Sequence, residues 1–203
     1  LYVGQALSAL LTMYRVTESK EYLKSAKKIA KRILEIIEED GCFVGDEYRS
    51  PNDISSSWVV MSLVDYLYAY ADDDAYKVLK KCSEELVERQ LLDKGEHYGR
   101  WKTAFTTSGY GWVIEVLMEV YGYCRDEGKS DMDCAQYRTA VARGLPWLFD
   151  RTYGLGQYSV DVPNPKKANG GLMWSRSSPY VRTDSVCHGM NAYVTFMSSF
   201  TER

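Results

Sequence analysis

The stretch that decides the fold is residues 62–101, which read SLVDYLYAYADDDAYKVLKKCSEELVERQLLDKGEHYGRW. An apolar run ends at the acidic turn Asp72–Asp74, and an amphipathic run headed by Tyr76 follows it. On both sides of the turn apolar residues recur at i, i+3 and i+4, which is the spacing of helices that bury one face. The stretch therefore predicts a helical hairpin followed by a loop rich in glycine and aromatic residues.

The same arrangement recurs at a fixed distance along the chain. Residues 9–43 read ALLTMYRVTESKEYLKSAKKIAKRILEIIEEDGCF, again two helical runs around a polar turn. Tyr22 and Tyr76 are 54 residues apart, and so are Trp58 and Trp112. Periods of this size indicate supersecondary units that stack on one another.

Helical periodicity covers most of the chain, so the predicted fold class is all-α. We expect about seven helices in a single domain over residues 1–203, with no series of strands. Pro146 is expected to kink the sixth helix or to end it near Gly144. The irregular stretch 150–182 is long enough to predict a functional loop. The expected helices are 4–16, 21–39, 58–68, 76–92, 108–124, 133–149 and 184–199.

Residues 9–43 and 62–101 resemble the helical hairpins of the (α/α) toroid superfamily. They share its order of apolar helix, short polar turn, tyrosine-led helix and glycine-aromatic loop, and the pattern covers nearly the whole chain. The resemblance implies stacked hairpins that form a toroid or an arc of one. Seven helices are fewer than a closed ring contains, which implies an incomplete ring or a portion of a larger toroid.

The toroid superfamily includes glycoside hydrolases, polysaccharide lyases, sugar epimerases and terpene cyclases, and two shorter stretches bear on the choice among them. Residues 88–101, ERQLLDKGEHYGRW, are partly similar to the Gln-Trp repeat of squalene-cyclase-like proteins, but their gap is longer and the chain has no Asp-x-Asp-Asp motif. Residues 180–194, YVRTDSVCHGMNAYV, look like the Arg-x-Asp helix start of some carbohydrate-linked toroids. The resemblance thus favours carbohydrate chemistry without assigning one family.

Composition excludes several classes of function. The net charge is -3 and the sequence pI is about 5.5, whereas a nucleic-acid partner calls for a basic face. No apolar run approaches the length of a membrane span. With two histidines and no ligand spacing, we expect no metal and no cofactor. The oligomeric state and the compartment stay open.

The five cysteines form no Cys-x-x-Cys pair and their number is odd. Cys82 lies on the apolar face of a predicted helix, so its expected role is core packing. A disulfide framework is not expected in a chain of this size.

Alternation of the helices predicts a common rim. If successive helices reverse direction, the loops 41–57, 93–107 and 150–185 all precede helices that start at the same end. Helix starts expose unpaired N–H groups and carry partial positive charge, which favours anionic or hydroxyl-rich ligands. For the Ser and Thr residues before these helices the favoured interpretation is that they are N-caps.

His188 and His97 are the only histidines, and both map to this rim. Histidine is the usual proton-transfer group near neutral pH, so both are candidate catalytic residues. Asp184 precedes His188 by four residues, which places the two on one helix face, where Asp184 could orient the imidazole or act as an acid itself. The alternatives are a salt bridge at the helix start or a core histidine.

The same loops carry the candidate substrate-binding residues. Arginine suits a bidentate grip on a carboxylate such as that of a uronic acid, and aromatic rings suit stacking on sugars. The alternatives are surface ion pairs, helix capping and an aromatic plug over the helical layer. The candidates are Arg100, Arg176, Arg182, Trp101, Tyr98, Trp174, Tyr158, Tyr180, Asp53 and Asp161.

The function that these expectations favour is a carbohydrate-active enzyme. It would act on a polar glycan, including uronate-containing ones, by hydrolysis, elimination or epimerisation at the rim. The alternative is a non-catalytic helical-repeat scaffold that binds a glycan or a protein on its concave face. A terpenoid cyclase is less favoured, because it needs a dry cavity with a buried acid.

Overall fold

The computed structural model describes residues 2–45, 48–128, 130–155, 162–175 and 177–200. Of these residues, 67% are helical, in eight helices with one small antiparallel hairpin. The helices are α1 (Tyr2–Thr17), α2 (Lys20–Asp40), α3 (Asp53–Ala69), α4 (Asp73–Glu88), α5 (Thr107–Asp126), α6 (Cys134–Phe149), α7 (Pro165–Ala168) and α8 (Thr183–Ser198), and the strands are β1 (Met173–Ser175) and β2 (Ser178–Val181). All seven predicted helices are present, so the prediction of a largely helical fold is confirmed.

The chain divides into two compact units. Unit 1 comprises Leu1–Glu88 and Glu119–Cys134, and unit 2 comprises Arg89–Met118 and Ala135–Arg203. The three boundaries fall at the end of α4, within α5 and after the first residue of α6. None of the helices in the described ranges is long and apolar enough to cross a membrane.

Unit 1 is built on two helical hairpins. Helix α1 packs against α2 and α3, and α3 packs against α4. Helix α2 buries one stripe, Ala26, Ala30, Ile33 and Ile37, at the spacing of a helix face. Helix α3 is buried over much of its surface, including the hydroxyls of Ser55, Ser56 and Ser57. Its N-cap is Asn52, whose side chain accepts a hydrogen bond from the Ser55 N–H at 2.8 Å.

Two disulfides cross-link unit 1, so the expectation that the chain has no disulfide framework is wrong. Cys42 is bonded to Cys82 with a Cα–Cα distance of 5.1 Å, and Cys124 is bonded to Cys134 at 5.7 Å. The first bond ties the loop after α2 to the buried face of α4, where apolar spacing alone indicated packing. Only Cys187 is a free thiol, and it is exposed.

In unit 2, helices α5 and α8 lie in close contact and run in the same direction. Ser108 is hydrogen-bonded to Asp184, and Glu115 further along α5 contacts His188 further along α8. The order of contacts is therefore the same in both helices. Close approach depends on glycine: a Cβ at Gly111 would lie 2.8 Å from the backbone carbon of His188. A larger residue at this position would therefore push the helices apart.

Helix α6 agrees with the predicted bounds 133–149, and the stretch after it differs from expectation. The helix continues through Pro146 to Phe149, so of the two effects expected of Pro146 an end near Gly144 does not occur. The region 150–182 holds α7 and the β1–β2 hairpin, neither of which was predicted. The hairpin is attached to α5, because Thr107 Oγ1 donates to the Met173 carbonyl at 2.6 Å.

Candidate functional site

The strongest candidate for chemistry in unit 2 is a contact between an imidazole and a carboxylate. His188 Nδ1 lies 2.8 Å from Glu115 Oε1, and the side chains are 27% and 13% exposed. Trp112 presents an edge to the imidazole, with the ring centroids 5.4 Å apart. Asn191 Nδ2 donates to the other carboxylate oxygen at 3.3 Å. Both partners are therefore held in place at a half-buried position that solvent still reaches.

The geometry sets the tautomer of His188. An ionised carboxylate only accepts hydrogen bonds, so Nδ1 carries the hydrogen, and in the neutral imidazole Nε2 keeps its lone pair. In the described part of the chain Nε2 has no hydrogen-bond partner. An imidazole that is oriented through Nδ1 and open at Nε2 can take up or deliver one proton.

One helical turn earlier, Asp184 forms a second polar contact. The Arg182 guanidinium donates two hydrogen bonds to it, from Nε to Oδ1 and from Nη2 to Oδ2, each at 2.9 Å. Ser108 Oγ donates to Oδ2 at 3.2 Å. Residues four apart on a helix are neighbours on one face, so Asp184 lies beside His188 along α8. The carboxylate that holds His188, however, is Glu115.

An aromatic pair from the hairpin completes this region. Trp174 on β1 and Tyr180 on β2 are stacked, with centroids 6.5 Å apart and planes inclined by 13°. The Arg182 guanidinium lies 4.0 Å from the centre of the Trp174 ring. Tyr180 is 54% exposed. We call the set formed by Glu115, His188, Asp184, Arg182, Trp174 and Tyr180 the His188 site.

His97 belongs to a different set of contacts. It is exposed, and its Nδ1 accepts a hydrogen bond from Arg100 Nη1 at 3.2 Å. None of the contacts described for His97 involves His188 or Glu115. The Arg100 guanidinium also faces the Trp147 ring at 5.4 Å. Tyr98, in the same loop, is 41% exposed.

Two predicted binding residues are buried. Trp101 has no exposed surface and packs against Tyr110 with centroids 5.5 Å apart, so it belongs to the core of unit 2 and presents no face to a ligand. The loop folds back on itself, so that the backbone of Trp101 is bridged to that of Gln90 and the indole is buried. Asp53 opens α3 in unit 1 and is 2% exposed. Tyr158, Asp161 and Arg176 lie outside the described residues.

Glu115 is the one member of the His188 site that the sequence prediction missed. The signal that could have found it is local, because a single carboxylate interrupts the apolar run Trp112–Met118. A charge in such a run is rarely buried without a partner. In the described part of the chain, no group of three or more His, Cys, Asp or Glu side chains is placed to hold a metal ion.

Comparison with known proteins gives no assignment. No protein-family model, no curated protein and no solved structure matches this chain significantly. Any statement about function therefore depends on the residues themselves.

Proposed function

We propose that the protein is a carbohydrate-active enzyme in which His188 is the proton-transfer group. We propose further that its hairpins belong to the (α/α) toroid type, as the sequence repeat suggests. The observation that carries the functional proposal is the contact of His188 Nδ1 with Glu115 at 2.8 Å, which leaves Nε2 without a partner among the described residues. A carboxylate behind an imidazole is the arrangement that orients a general base.

A single oriented base next to an arginine suits one reaction in particular. In elimination from a uronate, Nε2 removes the proton from the carbon next to the carboxylate. The electron pair forms a carbon–carbon double bond, the bond to the glycosidic oxygen breaks, and that oxygen takes up a proton from the His188 imidazolium or from water. A cation beside the uronate carboxylate lowers the cost of removing the first proton. Hydrolysis needs a pair of carboxylates on either side of the bond, whereas Glu115 is engaged by His188 and Asp184 by Arg182, so we favour elimination.

The remaining members of the His188 site supply the binding groups for such a substrate. Arg182 uses Nε and Nη2 on Asp184, and its Nη1 makes no hydrogen bond among the described residues. Trp174 and Tyr180 form an aromatic pair that includes an exposed ring. Guanidinium and aromatic faces are the groups that hold a charged sugar.

The test is a screen of the purified protein against uronate-containing and neutral polysaccharides. Elimination is followed by the ultraviolet absorbance of the unsaturated uronide, and hydrolysis by new reducing ends. His188→Gln should lower the rate on the active substrate by about 10²–10⁴-fold, the usual loss for a general base. Glu115→Gln should lower it less and change the pH profile, because the imidazole stays but loses its orienting charge.

His97→Gln is the matched control, since it removes the other imidazole of unit 2. It should leave the rate within about twofold of the parent if His188 alone transfers the proton. Full activity in His188→Gln would exclude this mechanism. Activity confined to neutral glycans would exclude the uronate.

A binding scaffold without catalysis is the second candidate. It is favoured by one observation: Glu115 accepts from both His188 and Asn191, so the contact also braces α8 against α5. In that case a glycan would bind with an affinity that Trp174→Ala weakens, no product would form, and His188→Gln would alter stability more than binding.

A further inference from the structure

We propose that the exposed face of α2, in unit 1, binds an acidic polysaccharide. Four exposed lysines lie in one row along this face, at the spacing of neighbours on a helix surface. They are Lys20, Lys24, Lys28 and Lys31, and we call them the α2 lysine row. The row is about 17 Å long, because each residue adds about 1.5 Å to a helix. The proposal does not depend on the chemistry of the His188 site.

The charge of the α2 lysine row is not neutralised by the described part of the protein. None of its four ammonium groups forms an ion pair or a hydrogen bond with a described residue. By contrast, Arg32 on the same helix pairs with Glu35 at 3.2 Å. Residues 20–32 carry six cations, and Glu21 is their only acid. The first half of α2 therefore presents a positive field to solvent.

Folding does not explain this arrangement of charge, because it lowers the stability of α2. Lys24 follows Lys20 by four residues and precedes Lys28 by four, and like charges at this spacing repel each other on a helix. Cations near the start of a helix and acids near its end also oppose the helix dipole. Residues 38–40, all acidic, occupy the last turn. The buried stripe on the opposite face must stabilise the helix against both effects, so the row is explained by binding.

The ligand that fits a row of lysines is a linear polyanion. The lysine ammonium is a compact point charge on a flexible stem, so it recognises charge density more than the fixed geometry of one anion. A polysaccharide with a carboxylate or a sulfate on its sugars presents such charges repeatedly along its length. Residues 27–32 read KKIAKR, a basic stretch typical of patches that bind polyanions.

A membrane surface fits this face less well. Glu35 and Glu38 continue the line of the lysines beyond Lys31, so a helix lying flat on an anionic bilayer would bring these acids against it. Every exposed residue of α2 is charged except Ser25, so the face offers no apolar side chain to the bilayer. A polysaccharide chain that crosses only the first half of α2 avoids the acids.

Single-stranded nucleic acid also fits less well, because its bases bind by stacking on exposed aromatic rings. Helix α2 has no exposed aromatic side chain. The Tyr70 ring lies next to it, but the Lys27 ammonium is 3.3 Å from the centre of that ring and covers one of its faces. The α2 face therefore supplies charge without a stacking platform.

The binding test uses the full chain and probes that separate these sources of negative charge. Heparin carries sulfates, polygalacturonate carries carboxylates, and dextran is the neutral control. A single-stranded oligonucleotide and vesicles of phosphatidylcholine with phosphatidylserine represent the other two ligand classes. At least one of the two acidic polysaccharides should bind, with an affinity that falls steeply as salt rises, because a polyanion releases counterions when cations neutralise it. Dextran should not bind.

The double variant Lys24→Gln/Lys28→Gln is the decisive one, because it removes half of the α2 lysine row. It should weaken polysaccharide binding by about tenfold at low salt. The slope of log K against log salt should fall by about 2, one for each lost ion contact. Its melting temperature should equal or exceed that of the parent, because repulsion within the row is relieved. Weaker binding would then not reflect unfolding.

The double variant Lys77→Gln/Lys81→Gln is the matched control, because it removes the same charge from α4 in the same unit. Both lysines are exposed, and they pair with Asp74 at 3.0 Å and with Glu85 at 4.0 Å. The control should keep the affinity within about twofold of the parent.

The proposal is overturned if neither acidic polysaccharide binds, or if the two double variants lose affinity equally. It is also overturned if dextran, the oligonucleotide or the vesicles bind as tightly as the better polysaccharide. Tight binding by a protein that forms no unsaturated uronide would support the α2 lysine row and count only against the catalytic role of His188.

Discussion

Gly111 lies directly against the backbone of His188, and a methyl group at position 111 would come within 2.8 Å of the His188 carbonyl carbon. This contact sets the distance between α5 and α8, and with it the reach of His188 to Glu115 four residues further along α5. Both the packing of α5 against α8 and the candidate chemistry thus depend on glycine at position 111.

Gly111→Ala should destabilise unit 2 by about 1–3 kcal/mol, because backbone atoms cannot yield to the added methyl group as a flexible side chain would. Urea unfolding followed by circular dichroism measures the change. Gly122→Ala is the control in the same helix, since the nearest atom to its Cβ is the Tyr68 hydroxyl at 3.9 Å. That substitution should stabilise by about 0.5–1 kcal/mol through helix propensity. Equal effects at the two glycines would contradict the close contact.

The two disulfides should contribute unequally to the stability of unit 1. Their sequence separations are 40 and 10 residues. Chain-entropy arguments then give about 4 kcal/mol for Cys42–Cys82 and about 3 kcal/mol for Cys124–Cys134. Denaturant unfolding of the two double-alanine variants measures both values. Cys187→Ser, which removes the exposed thiol, should leave the stability unchanged, and a larger loss from the short loop would reject the entropic ranking.

Truncation of Trp101 should mainly lower the stability of the protein, whereas truncation of Trp174 should mainly lower its glycan affinity. Trp101→Ala empties a fully buried position and should cost about 3–5 kcal/mol of unfolding free energy. Trp174→Ala removes a partly exposed ring of the hairpin, so its cost should be smaller, while glycan affinity falls. Thermal unfolding and glycan titration of the two variants provide the comparison. A Trp101→Ala protein as stable as the parent would place that indole at the surface.

Acid should remove a stabilising contribution from Asp131 in unit 1. Hydrogen bonds from the Tyr76 hydroxyl and the Lys80 ammonium hold the pKa of this carboxyl below its usual value. A lowered folded-state pKa stabilises the fold above the unfolded pKa, and the contribution disappears as pH falls through the folded one. At neutral pH the parent should therefore have a higher melting temperature than Asp131→Asn. This difference in melting temperature should disappear below about pH 4.

Tyr76→Phe gives a second check on Asp131, because it removes the first of the two donors and keeps the carboxylate. It should reproduce part of the change in melting temperature at neutral pH. A gap between parent and Asp131→Asn that stays constant down to pH 3 would show that these hydrogen bonds do not shift the titration.

Regular helices were predictable because their apolar spacing is a local property. The stripe Ala26, Ala30, Ile33 and Ile37 is visible in the sequence and is buried in α2. Helix α7 and the β1–β2 hairpin were not predicted, since α7 and the two strands are each only three or four residues long and lie among prolines and glycines. Short elements carry too few residues for a period to show.

Contacts between distant residues were the other part that local patterns did not reveal. Cys42 and Cys82 meet only because a loop crosses the face of α4, and the spacing of Cys82 looked like ordinary packing. Glu115 is 73 residues from His188 and joins it only through the pairing of α5 with α8. Trp101 resembled a surface platform because its neighbours are glycines and polar residues, yet its backbone is bridged to Gln90 and its indole is fully buried.

The presence of two disulfides beside one exposed thiol has a practical consequence for making the protein. Synthesis in the reducing cytosol of an expression host would deliver five thiols, of which Cys187 is exposed and able to attack a mispaired partner. Secretion into an oxidising compartment, or replacement of Cys187 by serine before refolding in air, should raise the yield of correctly paired molecules.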